Sequence, residues 1–227
     1  MPLPRVITFD VFSALIDSRS GGGAALEELA ARRSWPVSGT DVYSRWDAIN
    51  KESQRTCRSW VTFRELSRLA LAETYRQLAL PGDAVADAEW LLASVADWPL
   101  WPDAASGLAR LAGHVTVGVL SNIDDDIFAR TRVANLVNAD HAYTSERLRA
   151  YKPAPPIYRE AARRAGDGFV HVASSARDVR GALEAGIPTI RMRRPGHRLD
   201  PAGPVPEHTA SGMSQILDLL SPASPAS

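Results

Sequence analysis

The feature that most constrains the fold is an apolar run that ends directly at an acidic residue. Residues 6–9, Val-Ile-Thr-Phe, are mostly β-branched or aromatic, and Asp10 follows them at once. A short run of this kind is typical of a strand buried on both faces of a parallel sheet. Ligands of such sheets bind beyond the carboxyl ends of the strands, so the run would place the Asp10 carboxylate at a binding edge. On this stretch alone, an acid that caps a helix or lies in a loop explains Asp10 equally well.

Further apolar runs predict more strands of the same sheet. They lie at residues 114–120, 142–144, 168–173 and 189–192, the last of which is expected to be the final strand. Helical patterns fall between them, at residues 103–111, 155–165 and 181–186. Strands that alternate with helices predict an α/β fold with a doubly wound, Rossmann-like parallel sheet.

A long helical stretch separates the first strand from the second. After a Ser- and Gly-rich loop at residues 18–23, helical periodicity continues and no strand pattern interrupts it. We therefore predict an all-helical cap over residues 17–96, inserted into a core formed by residues 1–16 and 97–227. From Thr40 onward, one face of a cap helix is marked by Val42, Trp46, Ile49 and Ser53.

Composition and charge narrow the class of protein. Of the 227 residues, 45% are hydrophobic and 23% are charged, which suits one substantial core with a smaller lobe. Lys plus Arg and Asp plus Glu both number 26, so no net charge attracts nucleic acid or an anionic membrane. We expect a small-molecule substrate as the partner, and the sequence leaves undecided whether the protein forms a homodimer.

The remaining bulk features concern the compartment. Cys57 is the single cysteine, which fits a reducing compartment. No apolar run approaches the roughly 20 residues that span a bilayer, and the first residues lead into a core strand without a signal-peptide pattern. We therefore expect a cytoplasmic protein. The Ser-, Pro- and Ala-rich tail at residues 221–227 is expected to fray.

Four motifs follow one another along these elements. They are Asp10 after the first strand, Leu120-Ser121-Asn122 at the end of the second, Tyr151-Lys152-Pro153, and Asp178 after the strand at residues 168–173. In this order the chain resembles the haloacid dehalogenase-like hydrolases over nearly its full length. Asp10-Val11-Phe12 is more similar to the L-2-haloacid dehalogenase branch than to the phosphatases.

The resemblance implies a role for each motif. Asp10 would be the nucleophile, forming an ester with the substrate that water then cleaves. Lys152 would keep this carboxylate ionised and in place, and Asp178 would orient Lys152 and help to position water. The positions implied to bind the substrate or the water are Phe12, Ser121, Asn122, Tyr158, Ser174 and Ser175.

Ordinary structural explanations compete with these roles. A lysine such as Lys152 is most often solvated at the surface, and Asp178 would also suit an N-cap for a helix at Val179. Residues 122–126 are well placed to cap the helix after the second strand, which is the explanation we prefer for the acids at 124–126. Tyr158 and Phe12 are residue types that pack more often than they react.

The residues around the first and fourth motifs argue against a magnesium site. Magnesium-dependent relatives usually carry an acid two residues after the nucleophile, or a Gly-Asp pair opening the fourth motif, because Mg²⁺ needs hard oxygen ligands. Here those positions hold Phe12 and Val172-Ala173. Asp10 and Asp178 alone are a poor cage, so we expect no metal and no other cofactor. Without a metal ion, a phosphate dianion would meet two carboxylates and one lysine, which is an unfavourable charge balance. A phosphatase that uses Mg²⁺ is therefore only the second hypothesis.

One departure from the family pattern concerns the nucleophile loop. The first motif of the family normally reads Gly-Thr where this chain has Ser13-Ala14. A hydroxyl that steadies the nucleophile is therefore missing unless Ser13 supplies it.

A second departure concerns the cap. In the dehalogenases, an arginine just after a tryptophan binds the substrate carboxylate and receives the halide, whereas Trp46 is followed here by Asp47. If Asp47 faces the site, it disfavours a 2-haloacid anion and favours a substrate that carries an amine. The alternative is that Asp47 forms an exposed pair with Lys51, and that Arg45 or Arg55 supplies the cation.

The favoured function is metal-independent hydrolysis at a carbon centre, with dehalogenation of a 2-haloacid as the nearest family activity. A different leaving group, such as a C–N bond in an amino-acid-like molecule, stays open. The altered positions 13–14 and 172–173 favour a third hypothesis, a catalytically retired protein that serves as a binding module. The intact set Asp10, Ser121, Lys152 and Asp178 argues against it.

Overall fold

A parallel sheet forms the centre of the computed structural model, which describes residues 3–220. Within that range the sheet has six strands in the order β3-β2-β1-β4-β5-β6. The strands are β1 (Val6–Phe9), β2 (Thr116–Ser121), β3 (Ala142–Thr144), β4 (Phe169–Ala173), β5 (Thr189–Met192) and β6 (His208–Ala210). All neighbouring strands run parallel, which confirms the predicted fold class. The prediction that 189–192 is the last strand is wrong, since β6 follows it; the tail 221–227 lies outside the described residues.

Helices surround this sheet. Those of the described chain are α1 (Ser18–Arg33), α2 (Gly39–Thr56), α3 (Phe63–Leu78), α4 (Ala84–Ala93), α5 (Ala104–Ala112), α6 (Asp125–Arg130), α7 (Ser145–Leu148), α8 (Pro155–Ala165), α9 (Ala176–Glu184) and α10 (Met213–Leu220). The helices α1 to α4 all lie between β1 and β2 along the chain. None of the helices in residues 3–220 combines the length and the apolar character that crossing a bilayer requires.

The first strand lies at the point where the strand order reverses. β1 pairs with β2 on one side and with β4 on the other, so that Phe9 is aligned with both Val119 and Val172. All four residues of β1 are buried, as expected for a strand with helices on both faces of its sheet. The residues that follow β1, β2 and β4 therefore meet at a topological switch point, the usual ligand site of an open α/β sheet.

The predicted loop at residues 18–23 is wrong, because these residues form the first turns of α1. Asp17 caps the helix by accepting a hydrogen bond from the backbone N–H of Ser20 at 3.2 Å. A Cβ atom on Gly21 would lie 2.4 Å from Trp98, and one on Gly22 would lie 2.2 Å from the ring of Tyr43. The glycines therefore serve close packing inside a helix, a tertiary requirement that imitates a loop in the sequence.

The buried face of α2 differs from the predicted one. Val42 and Trp46 are buried as expected, but Ile49 is only partly buried. Asn50 and Gln54 are buried in its place. The inward side of this helix is therefore polar toward its C-terminal half, which an apolar periodicity does not reveal.

Asp124 occupies the N-cap position of α6, the helix that follows β2, as expected, but its side chain makes no capping hydrogen bond there. Its carboxylate instead accepts the backbone N–H groups of Phe63 and Arg64, each at 2.9 Å. These two residues begin α3, so Asp124 caps a helix from a distant part of the chain. Burial raises the pKa of Asp124 despite the two backbone donors.

Candidate active site

Asp10 lies at the carboxyl end of β1 and at the start of a tight turn. Its backbone N–H donates to the carbonyl of Val172 at 3.0 Å, which continues the pairing with β4. The chain then makes a single π-helical turn, Val11–Leu15. Asp10 Oδ2 accepts the backbone N–H of Ser13 at 3.1 Å and the Ser13 hydroxyl at 2.5 Å. Ser13 thus places a hydroxyl on the Asp10 carboxylate where Ala14 offers none.

Lys152 lies at the centre of the site. Its ammonium donates to Asp10 Oδ1 at 2.7 Å, to Asp178 Oδ2 at 2.5 Å and to the Leu120 carbonyl at 2.8 Å. These acceptors engage all three donor hydrogens of a lysine. The side chain is only 4% exposed, so Lys152 is not a solvated surface residue.

Asp178 is held from several sides in the first turn of α9. Besides Lys152, it accepts the Tyr158 hydroxyl at 2.8 Å. His171 Nε2 lies 3.3 Å from both of its carboxylate oxygens. Burial alone would raise the pKa of Asp178, but the charges of Lys152 and His171 outweigh it and hold the pKa well below its usual range. Ser175, not Asp178, occupies the N-cap position of α9.

Tyr158 stands behind this group and does not line the cavity. Burial first, and then the nearby Asp178 carboxylate, raise the pKa of Tyr158 well above its usual value. The phenol therefore stays protonated and donates to Asp178. The structure places Tyr158 as a support for Asp178, whereas the family pattern suggested a pocket position.

His171 belongs to the site and was not predicted from the sequence. It is fully buried in β4, and its Nδ1 atom lies 3.0 Å from the hydroxyl of Thr8 in β1. A carboxylate only accepts hydrogen bonds, so the Nε2 atom that faces Asp178 carries a proton. The signal in the sequence was a histidine inside an otherwise apolar strand.

Ser121 and Asn122 secure the same centre from the end of β2. The Ser121 hydroxyl donates to Asp10 Oδ1 at 3.3 Å. Asn122 Oδ1 accepts the backbone N–H of Lys152 at 2.7 Å, while its amide donates to the Lys152 carbonyl and to Gln54. Asn122 therefore fixes the backbone that carries the lysine and connects it to α2.

A cavity of about 80 Å³ opens in front of Asp10. Its apolar wall is formed by the rings of Phe12, Tyr43, Trp46, Phe63 and Trp98. Phe12 packs 6.0 Å from the ring of Phe63 and 5.6 Å from that of Trp98. The small volume and the aromatic wall suit a small substrate with an apolar part.

A polar stripe on α2 forms the opposite wall, through Asp47, Asn50, Lys51 and Gln54. Asp47 faces the cavity and also pairs with Lys51 at 2.5 Å, the two side chains being 31% and 42% exposed. Both alternatives for Asp47 therefore hold at once. Arg45 and Arg55 are exposed and do not line the cavity, so the expectation that one of them supplies the cation is wrong.

Arg177 is the cation that the sequence analysis missed. It follows β4 in the first turn of α9 and lines the cavity beside Asp178. Its guanidinium donates to the Lys51 carbonyl and to Gln54 Oε1, each at 3.1 Å, and to the Lys152 carbonyl. Burial lowers the pKa of Arg177, against the opposing charges of nearby acids. Its position directly before a motif acid was the available signal.

The two serines after β4 differ in position. Ser175 lines the cavity, whereas Ser174 is fully buried and does not line it. Among the described residues, the Ser174 hydroxyl has no hydrogen-bond partner. His197, from the loop after β5, lines the rim of the cavity, and burial lowers its pKa.

The donor set of the site is unlike a metal cage. Residues 3–220 contain no group of three or more His, Cys, Asp and Glu side chains arranged to hold a metal ion. The facing oxygens of Asp10 and Asp178 both bind the ammonium of Lys152. A cation of the chain itself thus occupies the space between the two carboxylates.

The fold and the site define an α/β enzyme with a covered cavity at the end of a parallel sheet. Residues 4–186 match the family model of the haloacid dehalogenase-like hydrolases. The chain belongs to this family and is a hydrolase.

Individual relatives place it near one branch of the family. It is 26% identical over 224 residues to (S)-2-haloacid dehalogenase 4A from Burkholderia cepacia, covering 95% of this chain and 94% of that protein. Among solved structures, the L-2-haloacid dehalogenase of Xanthobacter autotrophicus has a TM-score of 0.80 at 22% identity, covering 96% and 98% of the two chains. A structure from the same organism with chloropropionic acid covalently bound has a TM-score of 0.79 at 22% identity and the same coverage.

Proposed function

We propose that this protein hydrolyses a carbon–halogen bond, or a related C–X bond, of a small 2-substituted carboxylic acid. The reaction uses Asp10 as nucleophile and needs no metal ion. The observation that carries the proposal is the buried group of Asp10, Lys152 and Asp178 at the floor of a small, aromatic-walled cavity. The Burkholderia cepacia relative is, by name, a dehalogenase of (S)-2-haloacids.

The reaction proceeds in two balanced steps. An oxygen of the Asp10 carboxylate attacks C2 of the substrate, a C–O bond forms, and the C–X bond breaks with release of X⁻. Water then attacks the carboxyl carbon of the Asp10 ester, which releases the 2-hydroxy acid and one proton and restores the carboxylate. Lys152, Ser13 and Ser121 keep the carboxylate oriented through both steps.

The assisting groups act on Lys152 and on the water. Asp178 is proposed to orient the lysine, since its Oδ2 atom accepts from Nζ at 2.5 Å. The water that cleaves the ester would be positioned beside Ser175, whose side chain lines the cavity next to Asp178. Metal independence is supported by the place of the Lys152 ammonium, which balances the carboxylates where an ion would otherwise be needed.

The charges that line the cavity are compatible with an anionic substrate. Asp10, Asp47 and Asp178 are matched there by Lys51, Lys152 and Arg177. A single lysine against three acids, as the sequence suggested, would have disfavoured a carboxylate. Because Asp47 faces the cavity, an amino-acid-like substrate with a non-halogen leaving group is the second candidate.

The same proposal assigns residues 17–96 to a cap and residues 1–16 and 97–227 to the core. Ile16 forms an antiparallel bridge with Leu100, and the Asp17 N–H donates to the Pro99 carbonyl at 2.9 Å. The chain thus leaves and returns to the core at one place. A substrate in the cavity would be enclosed between α2 and the ends of the strands.

The test is turnover in oxygen-18 water with mass analysis of the protein. A panel of 2-haloacids, small cyclic amino acids and aryl phosphates is incubated with the enzyme, with and without chelator. We expect release of X⁻ that a chelator does not affect, and uptake of heavy oxygen into Asp10 over several turnovers.

Variants complete the test. Asp10→Asn should abolish turnover, while Asp140→Asn, at an exposed position, should leave it unchanged. Turnover that survives in Asp10→Asn contradicts the proposed nucleophile. Hydrolysis of aryl phosphates alone, abolished by chelator, would instead favour the phosphatase hypothesis.

A further inference from the structure

Arg177 contributes a positive charge to the cavity, and no acidic side chain within residues 3–220 neutralises it by direct contact. We propose that Arg177 binds the carboxylate group of the substrate, an inference that rests on the proposed function. The anion site would then lie on α9, on the same wall as Asp178, and not on the cap helix α2.

The partners of the cavity cations single out Arg177. Lys152 is paired with Asp10 and Asp178, and Lys51 is paired with Asp47. Among the described residues, Arg177 forms no ion pair. All three of its hydrogen-bond acceptors are neutral oxygens, two of them backbone carbonyls.

A partly buried guanidinium without a counterion is costly for the protein. The free-energy cost of removing a charged group from water is offset only by an opposite charge or by hydrogen bonds that satisfy all the donors of the group. The guanidinium has five N–H groups, and the three contacts use both hydrogens of Nη2 and one of Nη1, which leaves Nε–H and one Nη1–H for a ligand. A carboxylate oxygen accepts a charge-assisted hydrogen bond from such an N–H group and supplies the missing negative charge.

The surroundings of Arg177 add to its preference for an anion. It lies in the first turn of α9, a nine-residue helix whose N-terminal end carries a partial positive charge. The contacts with the Lys51 carbonyl and Gln54 hold the guanidinium against α2, so it is already oriented before a substrate binds. On α2 itself, the residue after Trp46 is an acid, Asp47, which repels a carboxylate.

The experiment measures binding apart from turnover. The proteins carry Asp10→Asn, so that no ester forms, and 2-chloropropionate is titrated by calorimetry. The protein that retains Arg177 is compared with two further variants. Arg177→Gln keeps a hydrogen-bond donor but no charge, and Arg177→Lys keeps the charge. The uncharged 2-chloropropionamide serves as a ligand of the same shape.

We expect Arg177→Gln to weaken binding of 2-chloropropionate by about tenfold or more, the range of a lost hydrogen bond to a charged group. Arg177→Lys should recover part of this loss, and binding of the amide should not change. The matched control is Arg180→Gln on the same helix, because Arg180 pairs with Glu184 and Asp200 away from the cavity. It should leave binding of both ligands unchanged.

Three results would overturn the proposal. Equal affinity of Arg177 and Arg177→Gln for 2-chloropropionate would remove Arg177 from the anion site. Equal loss of both ligands would mean that Arg177 only positions α2. If Arg177→Gln instead leaves the affinity for 2-chloropropionate unchanged and weakens only the competition of bromide for the site, Arg177 binds the leaving halide and not the carboxylate.

The outcome separates this inference from the proposed function. Charge-dependent binding through Arg177, together with no turnover of any 2-haloacid by the Asp10 enzyme, would leave the anion site standing and reject the hydrolysis. Turnover of a 2-haloacid with an unchanged KM in Arg177→Gln would support the hydrolysis and reject Arg177 as the anion site.

Discussion

His171 extends the polar group of the site from the carboxyl edge of the sheet into its interior. The row runs from Thr8 through His171, Asp178 and Lys152 to Asp10, with each member in hydrogen-bonding contact with the next. Every one of these residues is buried. Removal of one member leaves a buried partner without its hydrogen bond or its opposite charge, so the loss of one member should affect the others.

Replacing Asp178 by Asn tests this dependence through pH. The folded-state pKa of Asp178 lies below that of the unfolded chain, so the carboxylate stabilises the fold above about pH 4 and loses this effect as the pH falls. We expect Asp178→Asn to reduce the free energy of unfolding by about 3 kcal/mol at pH 7. The difference from the unmodified protein should narrow as the pH falls below about 4.

Urea unfolding at pH 7 and at pH 3.5 measures this difference. The exposed variant Asp140→Asn is the control and should show little difference at either pH. A deficit of Asp178→Asn that stays constant or widens on acidification would contradict the stabilising role of the carboxylate.

Ser13 permits a prediction on activity. Its hydroxyl donates to Asp10 Oδ2, while its backbone N–H donates to the same oxygen. Ser13→Ala removes only the first contact, so we expect kcat to fall by about tenfold with little change in KM. Ser13→Thr keeps a hydroxyl and should retain more activity than Ser13→Ala. Equal kcat values for the original protein and Ser13→Ala would show that the backbone N–H suffices.

At the scale of single elements, apolar patterns predicted the strands better than the functional helix. β1, β2, β4 and β5 were predicted because buried parallel strands are apolar on both faces. β3, an equally short edge strand, was predicted, and all three of its residues are buried. β6 was missed because two of its three residues are only partly buried, which leaves too weak a hydrophobic pattern to be recognised.

The buried face of α2 was predicted wrongly for a different reason. Its buried face carries Asn50 and Gln54, which are satisfied by each other and by residues far away in the sequence. A polar stripe that faces inward looks like an exposed face when only the chain is read. Arg177 was missed in the same way, since its partners lie on α2 and in the Lys152 loop. The motif residues Asp10, Lys152 and Asp178 were found because their order along the chain is itself a pattern.

The glycines at the start of α1 provide a prediction for this element. In an open helix, Gly→Ala stabilises by about 1 kcal/mol. At Gly22 the added Cβ would lie 2.2 Å from the Tyr43 ring, so we expect Gly22→Ala to destabilise by about 1–3 kcal/mol instead. Gly23→Ala is the control, because its nearest contact would be Thr40 Oγ1 at 3.1 Å. Urea unfolding should rank Gly22→Ala clearly below Gly23→Ala, and the reverse order would contradict the packing argument.

At the scale of the whole molecule, the segment of helices α1 to α4 is tied to the sheet by polar contacts as well as by packing. The Tyr151 hydroxyl donates to the Val61 carbonyl at 2.7 Å, and Arg64 pairs with Asp126 at 2.7 Å. Asp124 caps α3, and the Asn122 amide donates to Gln54 at 2.8 Å. These contacts join the segment after β2, including α6, and the loop before α8 to α2, to α3 and to the chain between these two helices. The wall of the cavity and its floor are therefore one connected structure.

This connection predicts a single cooperative unfolding transition for the chain. Four of the six tryptophans, at 35, 46, 60 and 90, lie in the segment of α1 to α4, and the other two, at 98 and 101, follow it directly. Tryptophan fluorescence therefore reports mainly on the helical segment. Far-UV circular dichroism reports on the sheet and its helices as well. We expect the two signals to give the same urea midpoint, because separate loss of the helical segment would expose the buried Asp10–Lys152–Asp178 group and the capping carboxylate of Asp124.

Asp124→Ala weakens one of these ties and sharpens the test. It removes the acceptor of two N–H groups at the start of α3 and should cost about 1–2 kcal/mol. Asp126→Ala is the matched control, since its pair with Arg64 is exposed and should contribute less than about 1 kcal/mol. In both variants we expect the fluorescence and dichroism midpoints to move together. A fluorescence midpoint that falls below the dichroism midpoint already in the unmodified protein would mean that the helical segment unfolds by itself, and that the cavity closes only when its two walls happen to meet.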